Sequence, residues 1–161
     1  LLTDSLPALA IGMEPADETL LQEKPRNPKT GIMTRDFIAT MFVEGLLIAT
    51  ATMTAFHIGL SENSATASTM AFAVLTLARL FHGFNCRSRE SIFALGLTSN
   101  KYSIYAFLGG VGLLALVLLL PPLHTVFCVA ALSVPALFQI AGLALAPTVL
   151  IQLWKVLRKT S

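Results

Sequence analysis

The sequence predicts an all-α fold, a polytopic membrane helix bundle made of the end of one helix followed by four transmembrane helices. The 161 residues are 55% hydrophobic and only 12% charged, whereas a soluble domain carries about 25% charged residues. Four apolar stretches are also long enough to cross a bilayer. A net charge of +2, spread along the chain, does not favour nucleic-acid binding. These observations indicate a lipid bilayer as the main partner.

The chain divides into three segments. Residues 1–13 are apolar but too short to cross a membrane, and we interpret them as the end of a truncated membrane helix. Residues 14–36 form the only long polar stretch and contain three prolines, which predicts a cytoplasmic loop. Residues 37–161 are predicted to form a four-helix transmembrane domain.

Each predicted crossing is close to the roughly 20 residues that span a bilayer. The first two contain one charge each, Glu44 and Arg79, and the other two contain none. Glycines 109, 110 and 112 in the third crossing predict close helix packing. The four predicted crossings are residues 37–60, 65–86, 103–123 and 134–154.

The basic residues predict the orientation. Ten of the 11 Lys and Arg residues precede the first crossing, lie between the second and third, or follow the fourth. Because cytoplasmic loops carry an excess of such residues, these three segments are predicted to be cytoplasmic. The chain is therefore expected in the cell membrane as a multi-pass protein with a cytoplasmic C-terminus, and residues 121–133 are expected on the opposite side.

The segment Thr3-Asp4-Ser5-Leu6-Pro7 is the strongest candidate site. A carboxylate in an apolar membrane helix is expensive and usually functional. Pro7 has no N–H, so it cannot bond the carbonyl of Thr3, and we expect the helix to unwind there. A free carbonyl beside a carboxylate suits a hard cation such as Ca²⁺. The alternative is a kinked helix end with Asp4 as an interfacial cap.

Residues 3–15, Thr-Asp-Ser-Leu-Pro-Ala-Leu-Ala-Ile-Gly-Met-Glu-Pro, resemble the sixth membrane helix of the P-type cation-transporting ATPases. The nearest subgroup is the Ca²⁺ pumps of sarcoplasmic-reticulum type and their bacterial relatives. Residues 23–28 are similar to the cytoplasmic loop that follows in that family, and residues 69–85 to its eighth helix. The four crossings then match helices seven to ten.

The resemblance implies that Thr3 and Asp4 ligate the transported ion, with Asp4 as the metal-binding carboxylate and Ca²⁺ as the ion. The family's phosphorylated Asp-Lys-Thr-Gly motif, nucleotide-binding domain and actuator domain are not in these 161 residues. ATP and Mg²⁺ would therefore bind in other domains of a longer ATPase, which are the expected protein partners. The predicted function is the C-terminal membrane part of an ATP-driven Ca²⁺ export pump. Alternatives are a P-type pump for Mn²⁺ or Na⁺, or a non-enzymatic four-helix membrane module.

Arg79 departs from the pattern of the family that this chain resembles. The two-site Ca²⁺ pumps carry a Glu ligand at the matching position. A guanidinium stays protonated and cannot bind Ca²⁺. The resemblance therefore implies a single ion site that Arg79 modulates. The expected charge partner of Arg79 is Asp4, and the alternative partner is Glu44. Arg79 could instead extend towards the cytoplasmic face. Glu44 is expected to face the bundle, and the three histidines are interpreted as polar or interfacial residues without a metal-site pattern.

Overall fold

A computed structural model describes residues 2–13, 33–86 and 100–159, without the side chains of residues 2, 4, 158 and 159. Within these ranges every regular element is a helix, so the predicted all-α fold is confirmed. The predicted loop 14–36 lies mostly outside the described residues, as do the basic residues Arg87 and Arg89. The helices are α1 (Leu2–Gly12), α2 (Arg35–Leu60), α3 (Ser64–Asn85), α4 (Lys101–Leu119), α5 (Pro121–Phe127) and α6 (Val134–Lys159).

Helices α2, α3, α4 and α6 are each long and apolar enough to cross a membrane. The first two begin and end within two residues of the predicted crossings. The third crossing is shorter than predicted, because α4 ends at Leu119 and α5 begins at Pro121. A proline has no N–H for the preceding turn but suits the first position of a new helix, so the chain changes direction there.

Helix α3 is central, because it packs against α2, α6, α4 and α1. Side chains from α2, α3, α4 and α6 form the main apolar cluster. Polar caps define the helix starts, with Asn63 Oδ1 accepting from Thr66 N at 2.8 Å at the start of α3. The buried members of the cluster are Ala51, Ala55, Met70, Ala73, Val74, Leu114, Leu118, Ala136 and Ile140.

Two glycines allow close helix approach. A Cβ on Gly59, near the end of α2, would lie 2.5 Å from Ala67 Cα on α3. A Cβ on Gly110 of α4 would lie 2.5 Å from Leu80 Cδ2 on α3, which confirms the predicted close packing at that position. Gly112 has open space around its Cα, so close packing at that residue is not observed.

Candidate ion site and intramembrane charges

Helix α1, which carries the candidate site, lies against α3 and α4. A Cβ on Gly83 of α3 would lie 3.4 Å from Pro7 Cβ, and one on Gly109 of α4 would lie 3.9 Å from Leu6 Cδ1. At the end of α1 the buried side chain of Asn100 donates from Nδ2 to the Ala10 carbonyl at 2.9 Å. The contacts therefore hold the middle and the C-terminal end of α1 on its two neighbours.

The direction of α1 follows from contacts along α4. Leu6 lies beside Gly109, whereas Ala10 bonds Asn100, so α1 and α4 run in opposite directions. Helices α3 and α4 are also antiparallel, since Leu80 packs on Gly110 and the ring of Phe84 packs on Phe107 at 5.3 Å. Helices α1 and α3 consequently run in the same direction.

This shared direction sets the depth of the candidate residues. Pro7 and Gly83 are in contact, and residues four positions earlier lie about 6 Å back along each helix at 1.5 Å per residue. Those residues are Thr3 on α1 and Arg79 on α3. The backbone of the candidate motif and Arg79 therefore occupy the same layer of the bundle.

The side-chain chemistry of this layer remains a prediction. Thr3 is half-buried and Arg79 is exposed, while the side chain of Asp4 lies outside the described residues. The ligand roles of Thr3 and Asp4, and the pairing of Arg79 with Asp4, are therefore unchanged as hypotheses. Within the described side chains, no group of three His, Cys, Asp or Glu residues could hold a metal ion.

Pro7 lies inside α1, and the helix continues on both sides of it. The structure thus contains a helical turn at Pro7 rather than an unwound one. Since proline has no N–H, the Thr3 carbonyl still has no donor four residues ahead of it in the helix. The proposed role of Pro7 in opening the helix stays a prediction for the ion-bound pump.

Glu44 faces the bundle, as expected, but its partner is a histidine. Glu44 Oε2 lies 3.6 Å from His82 Nε2, and the two side chains are 14% and 22% exposed. Within the described part of the chain His82 faces the Glu44 carboxylate, and the alternative pairing of Glu44 with Arg79 stays a prediction. The contact joins α2 to α3 inside the apolar span.

A set of polar residues extends from His82 to α6. Asn85 Nδ2 lies 3.5 Å from His82 Nδ1, and Asn85 Oδ1 accepts from Gln152 Nε2. Lys155 Nζ donates to the Asn85 carbonyl at 2.6 Å. The sequence analysis missed Asn85 and Gln152. Their signal is the spacing of polar residues, because His82 and Asn85 on α3, and Gln152 and Lys155 on α6, are each three apart and share a helix face.

Comparison with known proteins gives consistent matches. The family described as "Cation transporting ATPase, C-terminus" matches residues 1–157. The calcium-transporting ATPase of Bacillus subtilis is 38% identical over 154 residues, covering 94% of this chain and 17% of the relative. Calcium-transporting ATPase 1 of Bacillus cereus is 33% identical, covering 99% and 20%. The human calcium-transporting ATPase type 2C member 1 is 34% identical, covering 89% and 16%. The chain thus spans a fifth or less of these relatives.

Proposed function

Because the chain belongs to the family of C-terminal regions of the cation-transporting ATPases, we propose that it is the C-terminal membrane part of an ATP-driven pump that exports Ca²⁺ from the cytosol. Relatives from bacteria and from human that are 33–38% identical over the aligned residues are calcium-transporting ATPases by name. ATP and Mg²⁺ would bind in other domains of that pump, which this chain supports from within the bilayer.

The observation that carries the proposal is the common depth of residue 3 and Arg79. It follows from the Pro7–Gly83 contact between two helices that run in the same direction. In the proposed pump, the Thr3 carbonyl and the Asp4 carboxylate bind the ion from α1. Oxygen ligands of this kind are the ones that Ca²⁺ prefers.

Arg79 acts in this proposal as a tethered cation beside the ion. Two unit charges 4 Å apart interact by about 4 kcal/mol at an effective dielectric constant of 20, and a divalent ion doubles the repulsion. A second Ca²⁺ next to Arg79 is therefore unfavourable, and the pump moves one Ca²⁺ per ATP. When Ca²⁺ has left, the guanidinium neutralises the carboxylate, but it releases no proton because a guanidinium stays protonated in proteins.

The test measures, for the full-length pump in sealed vesicles, which ions stimulate ATP hydrolysis and how many ions are transported per ATP. Ca²⁺ should stimulate ATP hydrolysis, with one Ca²⁺ transported per ATP hydrolysed. Stimulation by Mn²⁺ or Na⁺ in place of Ca²⁺ would assign the chain to a pump for another cation. A ratio of two Ca²⁺ per ATP would contradict the single-site arrangement and leave the Ca²⁺ assignment intact.

The proposed orientation has its own test in intact cells. Single cysteines at Thr125 in α5 and at Ser161 occupy the predicted extracytoplasmic and cytoplasmic sides, in a background in which Cys86 and Cys128 are replaced by serine. A membrane-impermeant thiol reagent should label position 125 only. Labelling of position 161 from outside would reverse the orientation.

A further inference from the structure

A polar cluster joins three helices near the C-terminal end of α3, away from the proposed ion ligands. It contains Glu44 on α2, His82 and Asn85 on α3, and Gln152 and Lys155 on α6. Asn85 is 3% exposed and Gln152 is 7% exposed. Buried amides that bond each other across helices hold a defined orientation, because an amide with no partner in the interior is costly.

The order of donors and acceptors in this cluster sets the protonation of His82. Asn85 Oδ1 accepts from Gln152 Nε2, so Asn85 turns its Nδ2 towards His82 Nδ1 at 3.5 Å. An amide nitrogen is only a donor. His82 Nδ1 must then be unprotonated, and the ring carries its proton on Nε2, which faces Glu44 Oε2 at 3.6 Å.

We propose that Gln152 and Asn85 hold His82 as the neutral Nε2–H tautomer, and that Glu44, His82, Asn85 and Gln152 form a proton-sensitive latch between α2, α3 and α6. A second proton on His82 Nδ1 would set two donors against each other. The Asn85 amide would have to turn, which sets its Nδ2 against Gln152 Nε2, a further donor, until Gln152 turns as well. Protonation of His82 therefore breaks the present Asn85–Gln152 bond between α3 and α6, while Lys155 Nζ still bonds the Asn85 carbonyl.

The charged and titratable groups around His82 come from several helices. Glu44 faces it from α2, and Lys155 of α6 bonds the carbonyl of Asn85, three residues further along α3. Arg79 is an exposed residue of the same helix, and the exposed Cys86 directly follows it. On α1 the titratable residue is Asp4, whose side chain is outside the described residues. The titratable residues of α4 are all exposed, namely Lys101, Tyr102 and Tyr105.

The latch has a route to the ion layer through α3, because His82 lies three residues after Arg79, about one turn along the same helix. Loss of the Asn85–Gln152 bond would weaken the attachment of the end of α3 to α6, about two turns from Arg79. This last step rests on the proposed function, whereas the protonation state of His82 does not.

The protonation state is testable by nitrogen-15 NMR of histidine in the full-length pump in lipid bilayers. The His82 signals are assigned by their loss in His82→Gln. At pH 7 they should show a protonated Nε2 and an unprotonated Nδ1. A wild-type His82 that is doubly protonated, or protonated at Nδ1, would overturn the proposal.

Asn85→Asp is the decisive variant. A carboxylate at position 85 still accepts from Gln152 Nε2, but it replaces the donor that faces His82 Nδ1 with an acceptor. His82 should then become doubly protonated at pH 7, while the signals of the exposed His57 stay unchanged. An unchanged His82 in this variant would refute control by the amide pair. If the variant does not fold, the wild-type tautomer still decides.

The link between His82 and pumping is tested by ATP hydrolysis of the full-length pump as a function of pH. His82→Gln should remove a step on the acid side of the wild-type profile, and His57→Gln, which changes an exposed histidine of α2, should keep it. Identical profiles for the two variants would overturn the link to pumping. The NMR result does not depend on which ion is transported, so failure of the latch and failure of the Ca²⁺ assignment are distinguishable.

Discussion

The two charges inside the first two membrane helices have different surroundings. Glu44 on α2 is 14% exposed and lies 3.6 Å from His82 on α3. Arg79, one turn before His82 on the same helix, is exposed on the described bundle. A charge persists in a bilayer only when it is paired or hydrated. The described helices enclose Glu44, whereas Arg79 lies in the layer of α1, which carries the candidate ion ligands.

This difference separates a structural region from a functional one. The packed unit of α2, α3 and α6 contains most of the buried apolar core and the Glu44 cluster. The layer of Thr3 and Arg79 is where, under the proposed function, the remaining helices of the pump complete the ion site. Substitutions in the layer should therefore change transport and leave stability unaffected, whereas substitutions in the packed unit outside the Glu44–His82 cluster should do the opposite.

The largest expected effect is that of Asp4→Asn in the full-length pump. The amide lacks the negative charge that binds the ion, so Ca²⁺-stimulated phosphorylation from ATP should be abolished. The thermal unfolding midpoint should stay near the wild-type value, since the substitution keeps the size of the side chain.

The matched control for Asp4→Asn is Glu62→Gln, the same change of carboxylate to amide in an exposed turn. It should phosphorylate normally. Unchanged Ca²⁺ affinity in Asp4→Asn would remove Asp4 from the ion site and favour its alternative role as an interfacial cap.

Arg79→Gln is expected to have the next largest effect. Loss of the fixed positive charge should raise the apparent Ca²⁺ affinity by about tenfold, which corresponds to about 1.4 kcal/mol. Arg79→Lys keeps the charge and should stay close to wild type. The measurement is the Ca²⁺ concentration that gives half-maximal phosphorylation, and equal values for both variants would exclude an electrostatic role at the ion site.

The helices could be predicted from the sequence because the length of an apolar stretch and the basic residues beside it are local signals. The exceptions are the ends of the last two crossings: the fourth was predicted to end at residue 154, but α6 continues to Lys159, and the third was predicted to end at residue 123, but α4 ends at Leu119. Hydropathy treats residues 120–123 as a continuation, since all four are apolar or proline. The backbone does not, because Pro121 cannot bond the preceding turn and starts α5 instead.

The site was less predictable because contacts between helices depend on their rotation and depth. That Glu44 faces the bundle was expected, but its partner His82 lies 38 positions away and was interpreted only as a polar or interfacial residue. The close contact of Gly59 with Ala67 was also missed, since one glycine near a helix end carries no packing signal of its own. The common depth of Thr3 and Arg79 required the direction of α1, which the contacts on α4 supply.

In the packed unit, Gly59→Val should destabilise the pump with little change in Ca²⁺ affinity. The new Cβ would meet backbone atoms of Ala67, with 2.5 Å to its Cα, so α2 and α3 must separate. Overpacking of this kind costs about 1–3 kcal/mol. The control is Gly112→Ala, where nothing lies within 4 Å. A similar fall in unfolding temperature for both variants would show that the close approach at Gly59 is not required.

The smallest expected effect is that of Thr69→Val, which tests the end of the packed unit next to the segment between α5 and α6. Thr69 Oγ1 donates to the Ala65 carbonyl and accepts from Ala130 N, both at 2.8 Å, and so ties α3 to the segment between α5 and α6. Valine keeps the shape but removes the acceptor, so the stability should fall by about 1 kcal/mol. The exposed neighbour Ser68 is the control, as Ser68→Ala removes a hydroxyl from the same turn of α3. Thermal unfolding of the purified pumps measures both, and a change in the Ca²⁺ dependence of Thr69→Val would mean that the packed unit and the ion layer are coupled rather than separate.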